Sequence, residues 1–127
     1  MERKTINTIL IAVLLLALTP GILPAEEPGG IGLSVLQLYH HDKDDHRGPI
    51  VILDVLPNGS ALSAGVEKGD IITHIDGETT SGKDFEYILK EMLRGPAYTS
   101  VTITIKRASS SQTFNMTLDR VVSKGLY

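Results

Sequence analysis

Three groups of residues in this 127-residue chain have the types and spacing to do chemistry. The first is His40-His41-Asp42-Lys43-Asp44-Asp45-His46, three imidazoles and three carboxylates within seven residues. Such donors hold zinc or nickel when a scaffold fixes their geometry. This run contains no apolar residue to fix one and ends at a glycine, so it reads as a solvated loop between strands and no metal is assigned to it. The second group is Ser81 and Lys83, the residue types of a serine nucleophile and a lysine base. They are near neighbours in a turn, no third group orients the base, and no G-x-S-x-G occurs, so no catalytic residue is assigned. The third is Gly30-Ile31-Gly32-Leu33. Successive small residues can turn their N–H groups inward as an anion-holding nest, and glycine permits the angles this needs. The same four residues also serve as a plain turn. A dinucleotide fingerprint fits less well, because Val35 stands where the third glycine belongs.

Composition narrows the classes. There is no cysteine, which excludes disulfides, thiolate nucleophiles, Cys-based zinc sites and a lipoprotein anchor. Net charge is −3, and no basic patch with interleaved aromatics occurs, so nucleic-acid binding has no support. A hydrophobic share of 42% with 21% charged residues fits one globular domain. Aromatics make up 5%, so the core must be built from Ile, Val and Leu. Residues 1–25 read as a leader outside the fold. Arg3 and Lys4 precede an unbroken apolar run over residues 9–18, then Pro20-Gly21, and Leu23-Pro24-Ala25 at a candidate cleavage point. A bilayer-spanning helix needs about 20 apolar residues. A cleaved signal peptide is therefore expected, with export to a periplasmic or extracellular space. The alternative is a retained anchor over residues 9–23, which would make a membrane tether.

The remaining elements must position any site. Residues 26–29 read as a linker, 30–122 as the domain and 123–127 as a tail. Strands are expected at residues 33–39, 49–56, 71–75 and 78–79, with turns at Asn58-Gly59 and Asp76-Gly77. Ser60 is expected to cap one short helical turn through Ala64, ended by Gly65. The main helix is expected over residues 84–93. Phe85, Leu89 and Met92 share one stripe there, Glu86 and Lys90 form an i,i+4 pair, and Arg94-Gly95-Pro96 stops the helix. Val101, Ile103 and Ile105 alternate with threonines, and so do Phe114, Met116 and Leu118 with polar residues, which predicts a hairpin. The expected fold class is α+β: a small, partly closed, antiparallel sandwich or barrel of five to six strands, with one main and one short helix.

The order and the punctuation resemble a PDZ domain over residues 29–122. The resemblance rests on Gly30-Ile31-Gly32-Leu33, on Asn58-Gly59-Ser60-Ala61-Leu62-Ser63-Ala64-Gly65, on Gly69-Asp70-Ile71-Ile72 with Ile75-Asp76-Gly77, and on Leu93-Arg94-Gly95-Pro96. Little precedes Gly30, and a further strand appears at residues 112–119. That order resembles the circularly permuted PDZ domains of bacterial carboxyl-terminal processing proteases and high-temperature-requirement serine proteases. Ala61 departs from the pattern, since relatives often carry proline there, which bears on a turn and not on the groove.

The resemblance implies a peptide-binding module. Residues 30–33 would be its carboxylate-binding loop, and a C-terminal peptide would add as a strand between residues 33–39 and the helix. The implied contact residues are Gly30, Ile31, Gly32, Leu33, Ser34 and Val35 on one side and Phe85, Leu89 and Met92 on the other. Ile31, Leu33, Val35, Phe85, Leu89 and Met92 are all apolar, which predicts a preference for apolar last residues. Partners would be C-terminal or extended segments of other proteins, an envelope protease among them, with no cofactor. Alternatively the chain is a non-catalytic accessory or truncated relative of a tail-processing serine protease. A third reading is an adaptor whose groove takes its own apolar-ended tail, Lys124-Gly125-Leu126-Tyr127.

Overall fold

The computed structural model describes residues 26–42 and 44–123; the expected leader and residues 124–127 of the expected tail lie outside them. The order of elements is β1 (Pro28–Gly30), β2 (Leu33–Tyr39), β3 (Arg47–Val55), α1 (Ser60–Ala64), β4 (Ile71–Ile75) and β5 (Glu78–Thr79). Then come α2 (Phe85–Tyr87), a π-helical continuation Ile88–Leu93, β6 (Gly95–Pro96), β7 (Ser100–Arg107), β8 (Gln112–Asp119) and β9 (Val121–Val122). Six strands form one antiparallel sheet in the order β2-β3-β4-β7-β8, with β5 attached to β4. A smaller sheet, β6-β1-β9, ties both ends of the domain to the end of the helix. This is the expected α+β design, not fully closed. Among the described residues no helix is long and apolar enough to cross a membrane.

Local chemistry explains the main strands. In β7, Val101, Ile103 and Ile105 are buried while Thr102 and Thr104 keep a wetter face, as period-2 alternation requires. β7 and β8 pair without a register break from Ser100↔Asp119 to Arg107↔Gln112. Their outer face is joined by Thr102 Oγ1 to Thr117 Oγ1 at 2.9 Å and Thr104 Oγ1 to Asn115 Oδ1 at 2.7 Å. Between β4 and β5, Asp76 and Gly77 have φ of 50° and 77°, the paired positive angles of a tight hairpin turn. Fully buried side chains are aliphatic apart from Asp70, and Phe85 and Phe114 pack at the rim of the core.

Three details differ from the sequence reading. Pro28 and Gly29, expected in a linker, pair as β1 with β6 and β9. Ser60 does not cap α1. Gly59 holds the N-cap position, and the Ser60 hydroxyl instead donates to Asp119 O of β8 at 2.6 Å, pinning α1 to the sheet. The main helix keeps its expected span from Phe85, but its larger part is π-helical, with Arg94 N–H bonded back to Leu89 O at 3.0 Å. The wider turn lets two adjacent pairs, Ile88-Leu89 and Met92-Leu93, all face the core. The Glu86–Lys90 pair forms at 3.8 Å on the exposed side.

Two polar clamps hold the frame. Asp70, 2% exposed, accepts from Glu67 N–H and from Arg107 Nε and Nη2 at 2.9–3.0 Å. Arg107 also donates to Gly65 O and lies over the Phe114 ring, so the α1–β4 connection is fastened to the end of β7. The hydrogen bond to Asp70 raises the Arg107 pKa above its ordinary value. The second clamp is Arg120, 8% exposed, which donates to Leu93 O at 3.0 Å, Met92 O at 3.2 Å, Thr99 Oγ1 at 3.0 Å and Ser100 O at 3.2 Å. Burial lowers its pKa. A guanidinium keeps its proton in proteins, so the carbonyls at the negative end of the helix offset its desolvation.

A closer contact sets the entry to β2. Gly32 has φ of +83° and faces Gly59; a Cβ on Gly59 would sit 2.4 Å from Ile31 O and 2.5 Å from Gly32 Cα. Both clashes are with backbone, which has no rotamer to escape through. Gly59→Ala is therefore expected to destabilise the domain by about 1–3 kcal/mol, the range for overpacking. Arg120→Met, which keeps bulk and removes the donors at the helix end, is expected to cost about 2–4 kcal/mol. Urea titrations followed by circular dichroism check both, and an unchanged midpoint in either variant contradicts the contact it tests.

Candidate functional site

The site begins where β1 crosses into β2. Ile31 O accepts from Ala61 N–H at 3.0 Å and Gly32 O from Leu56 N–H at 2.9 Å. The carbonyl side of the loop is thereby tied to α1 and to the turn before it. Among the described residues, no hydrogen bond is donated by the N–H groups of Ile31 and Gly32. The Ile31 and Leu33 side chains point into the core and are 0% exposed. The loop thus spends its carbonyls and side chains on the fold and keeps two neighbouring amide donors, the arrangement that suits an anion. Gly32 has a structural reason of its own, since its angle and its contact with Gly59 demand glycine without any ligand.

Beside the loop, β2 pairs among the described residues with β3 alone and ends the six-stranded sheet. Its other edge is available to an added strand. Ile31, Leu33, Leu89 and Met92 belong to one buried cluster, and Val35 and Phe85 pack against it partly buried. The structure therefore brings together the six apolar residues singled out from sequence. It also covers them: Leu89 and Met92 are each 6% exposed, so in this state their side chains fill the space between helix and loop. Ser34 alternates away from the core and is half-buried. An open cleft of 430 Å³ lies next to the loop, lined by Gly30, Gly32, residues 56–59 and residues 121–123. Of the expected contact residues it includes only the two glycines.

Two polar residues matter here that the sequence did not flag. Gln37, 8% exposed, is on the inward side of β2 after Leu33 and Val35, and donates to Lys83 O and Gly48 O. Period-2 alternation put it on that side, and a glutamine on an apolar face was the available signal. Arg120 has no comparable signal, because its partners lie 20–28 positions away.

The other candidate chemistry is occupied elsewhere. In the charged loop, His46 Nδ1 donates to His40 O at 2.6 Å, and Arg47 pairs with Asp45 at 2.8 Å. The Arg47 hydrogen bonds hold the Asp45 carboxyl below the usual carboxylate range. Among the described residues no group of three His, Asp or Glu is placed to hold a metal ion. Lys83 Nζ is engaged by Glu78 Oε1 at 3.2 Å and by Thr79 O. His74 is a half-buried strand residue bonded to Thr73 Oγ1, as its position in β4 predicts.

Comparison with known proteins identifies the family and the fold. The family model described as PDZ domain matches residues 51–107. A carboxyl-terminal-processing peptidase of Arabidopsis thaliana, named as chloroplastic, is 32% identical over 92 residues, covering 72% of this chain and 17% of that protein. The chain thus spans about a fifth of the length of the curated relatives it matches. The structure of a photosystem II D1 C-terminal processing protease superposes with a TM-score of 0.62 at 27% identity, over 88% of this chain and 27% of that one. The PDZ domain of a carboxy-terminal protease from Vibrio cholerae, solved in complex with peptide, shares the fold with a TM-score of 0.56 at 21% identity, covering 73% of this chain and 93% of that domain. Matching sequence, strand order and fold together identify this chain as carrying a PDZ domain related to those of carboxyl-terminal processing proteases.

Proposed function

We propose that the chain is a peptide-binding module that takes the C-terminal end of a partner polypeptide as an extra strand on β2. The carrying observation is the edge of β2 that no described residue pairs, which starts at a loop whose Ile31 and Gly32 amides have no acceptor among the described residues. A terminal carboxylate needs clustered donors, and an extended peptide needs an unpaired edge. In this reading residues 30–33 seat the carboxylate. The last side chain enters between Ile31, Leu33 and Val35 on one side and Phe85, Leu89 and Met92 on the other. Those side chains must part to admit it, which favours an apolar terminal residue and uses the adaptable thioether of Met92. The interface is small, below about 1,200 Å², so micromolar affinity is expected, near −8 kcal/mol. The described residues bind and do not catalyse.

A second reading keeps the same groove in another setting. The match to a fifth or less of each curated relative favours a binding part that presents polypeptide ends to a processing protease, as an accessory or as a portion of such an enzyme. Export through residues 1–25 would place it where such substrates are handled.

An array of C-terminal peptides, each as free acid and as amide, tests the mechanism against the full chain. Free acids ending in apolar residues are expected to bind in the micromolar range, and amidation to weaken them at least about tenfold, the effect of losing a charged hydrogen-bonded group. Equal binding of acid and amide would sink the carboxylate seat. Leu89→Asp is expected to reduce binding of every peptide, checked alongside its thermal melt. Peptide cleavage by the chain alone would overturn the non-catalytic assignment.

A further inference from the structure

The six-stranded sheet has a second margin, opposite β2. Among the described residues β8 pairs with β7 alone. The β7–β8 ladder runs from Ser100↔Asp119 to Arg107↔Gln112 without a bulge, and residues 112–118 carry no charge and no proline. None of the usual guards of a sheet margin stands on that stretch. We propose that this edge is a docking surface for a second copy of the chain, two β8 strands pairing antiparallel about a two-fold axis at Asn115. The inference stands apart from the peptide-binding reading.

Hydrogen bonds on β7 fix which backbone groups face outward. Thr102 N–H donates to Asp76 Oδ1 and Thr102 O accepts from Asp76 N–H, so both groups turn away from β8. Thr102↔Thr117 is therefore a non-hydrogen-bonded pair, and Thr117 N–H and C=O point to the open side. Alternation gives Thr113 and Asn115 the same direction. Asp119 O follows it too: it accepts from Ser60 Oγ of α1, which closes the edge at that end. Among the described residues the N–H and C=O groups of Thr113, Asn115 and Thr117 have no partner.

This edge is complementary to itself. With Asn115 on the axis, it meets Asn115 of the second copy, and Thr113 meets Thr117 of the second copy. These narrow pairs exchange about six hydrogen bonds. Between them Phe114 faces Met116 of the second copy, an aromatic–thioether contact between side chains that are only partly buried on their own core. On the outer face, exposed Lys106 beside Thr113 marks one end of the β7–β8 ribbon and exposed Asp119 the other. The axis turns each copy's basic end toward the other's acidic end, and no like charges oppose. A register shifted toward Asp119 would need the carbonyl that Ser60 already holds. Residues 113–117 of each copy make a small interface, below about 1,200 Å², so a dissociation constant of about 10–100 µM is expected. Each β2 stays at an outer margin of the joined sheet, so pairing leaves the peptide edge open.

Sedimentation velocity of the full chain is expected to show monomer passing to dimer across about 10–100 µM. Asn115→Lys sets two like charges face to face on the axis, and Asn115→Pro removes an N–H that the β7 ladder does not use. Each is expected to weaken dimerisation at least about tenfold, with circular dichroism showing that the variant is folded. Register is read by cross-linking, since the chain has no cysteine of its own. Across a narrow pair the Cα atoms stand about 5.5 Å apart, within disulfide reach. Under mild oxidation Asn115→Cys is expected to form a covalent dimer at least about tenfold faster than Thr113→Cys, whose two sulfur-bearing positions lie about 14 Å apart along the strands. A chain that stays monomeric to about 500 µM, well above the expected constant, overturns the proposal. So does a dimer that the folded Asn115→Lys and Asn115→Pro variants leave intact, or equal cross-linking at positions 113 and 115.

Discussion

The contact between the backbones of Gly32 and Gly59 is the constraint from which the site geometry follows. Two chain segments meet there with no side chain between them. Because they meet so closely, Ala61 and Leu56 can donate to the carbonyls of Ile31 and Gly32. With the carbonyls drawn to that side, the amides of the same two residues find no acceptor among the described residues, and the side chains of Ile31 and Leu33 are driven into the core. A loop with side chains at either position would stand off, lose those hydrogen bonds and turn differently. The donors that suit an anion are thus a by-product of how the loop is anchored.

The helix is placed by polar groups at its two ends. Arg120 gathers the carbonyls of Met92 and Leu93, and Gln37 holds the chain just before α2 against β2. Between these ends the packing is aliphatic, and aliphatic packing alone fixes distance better than register. Hydrogen bonds are directional, so these two side chains determine how the helix lies along β2. The π-helical turn follows from the same fit: an extra residue per turn lets four side chains in adjacent pairs reach a core that an α-helical stripe would serve with fewer.

Much of the fold could be read from local pattern. The bounds expected for β2, β4 and β5 match, because apolar alternation and the Asp76-Gly77 turn are written in adjacent residues. The apolar stripe of the helix was visible for the same reason, while its π character was not, since that depends on what the helix packs against. β3 starts at Arg47 rather than near Pro49, because Arg47 pairs with Tyr39 across the sheet, a long-range fact. The role of Ser60 was misjudged on the same ground: a serine before a short helix signals a cap, but here the stronger acceptor, Asp119 O, comes from 59 residues away. Within the site, the six apolar residues were legible by periodicity and the loop by its glycines. Gln37 left one signal, an amide on an otherwise apolar strand face, and Arg120 left none, because the partners of a buried polar residue lie outside any sequence window.

The seven residues of β2 carry no charge, and the strand lies at the margin of its sheet. Proteins commonly guard such margins with lysine, proline or a bulge. Here the guard is slight: two register breaks against β3, at Ser34/Val35 and Gln37/Tyr39, shorten the straight stretch. An edge this bare is adhesive toward any extended chain that drifts near, another copy of itself included. Fitness to receive a strand and a tendency to clump when crowded are one property seen at two concentrations.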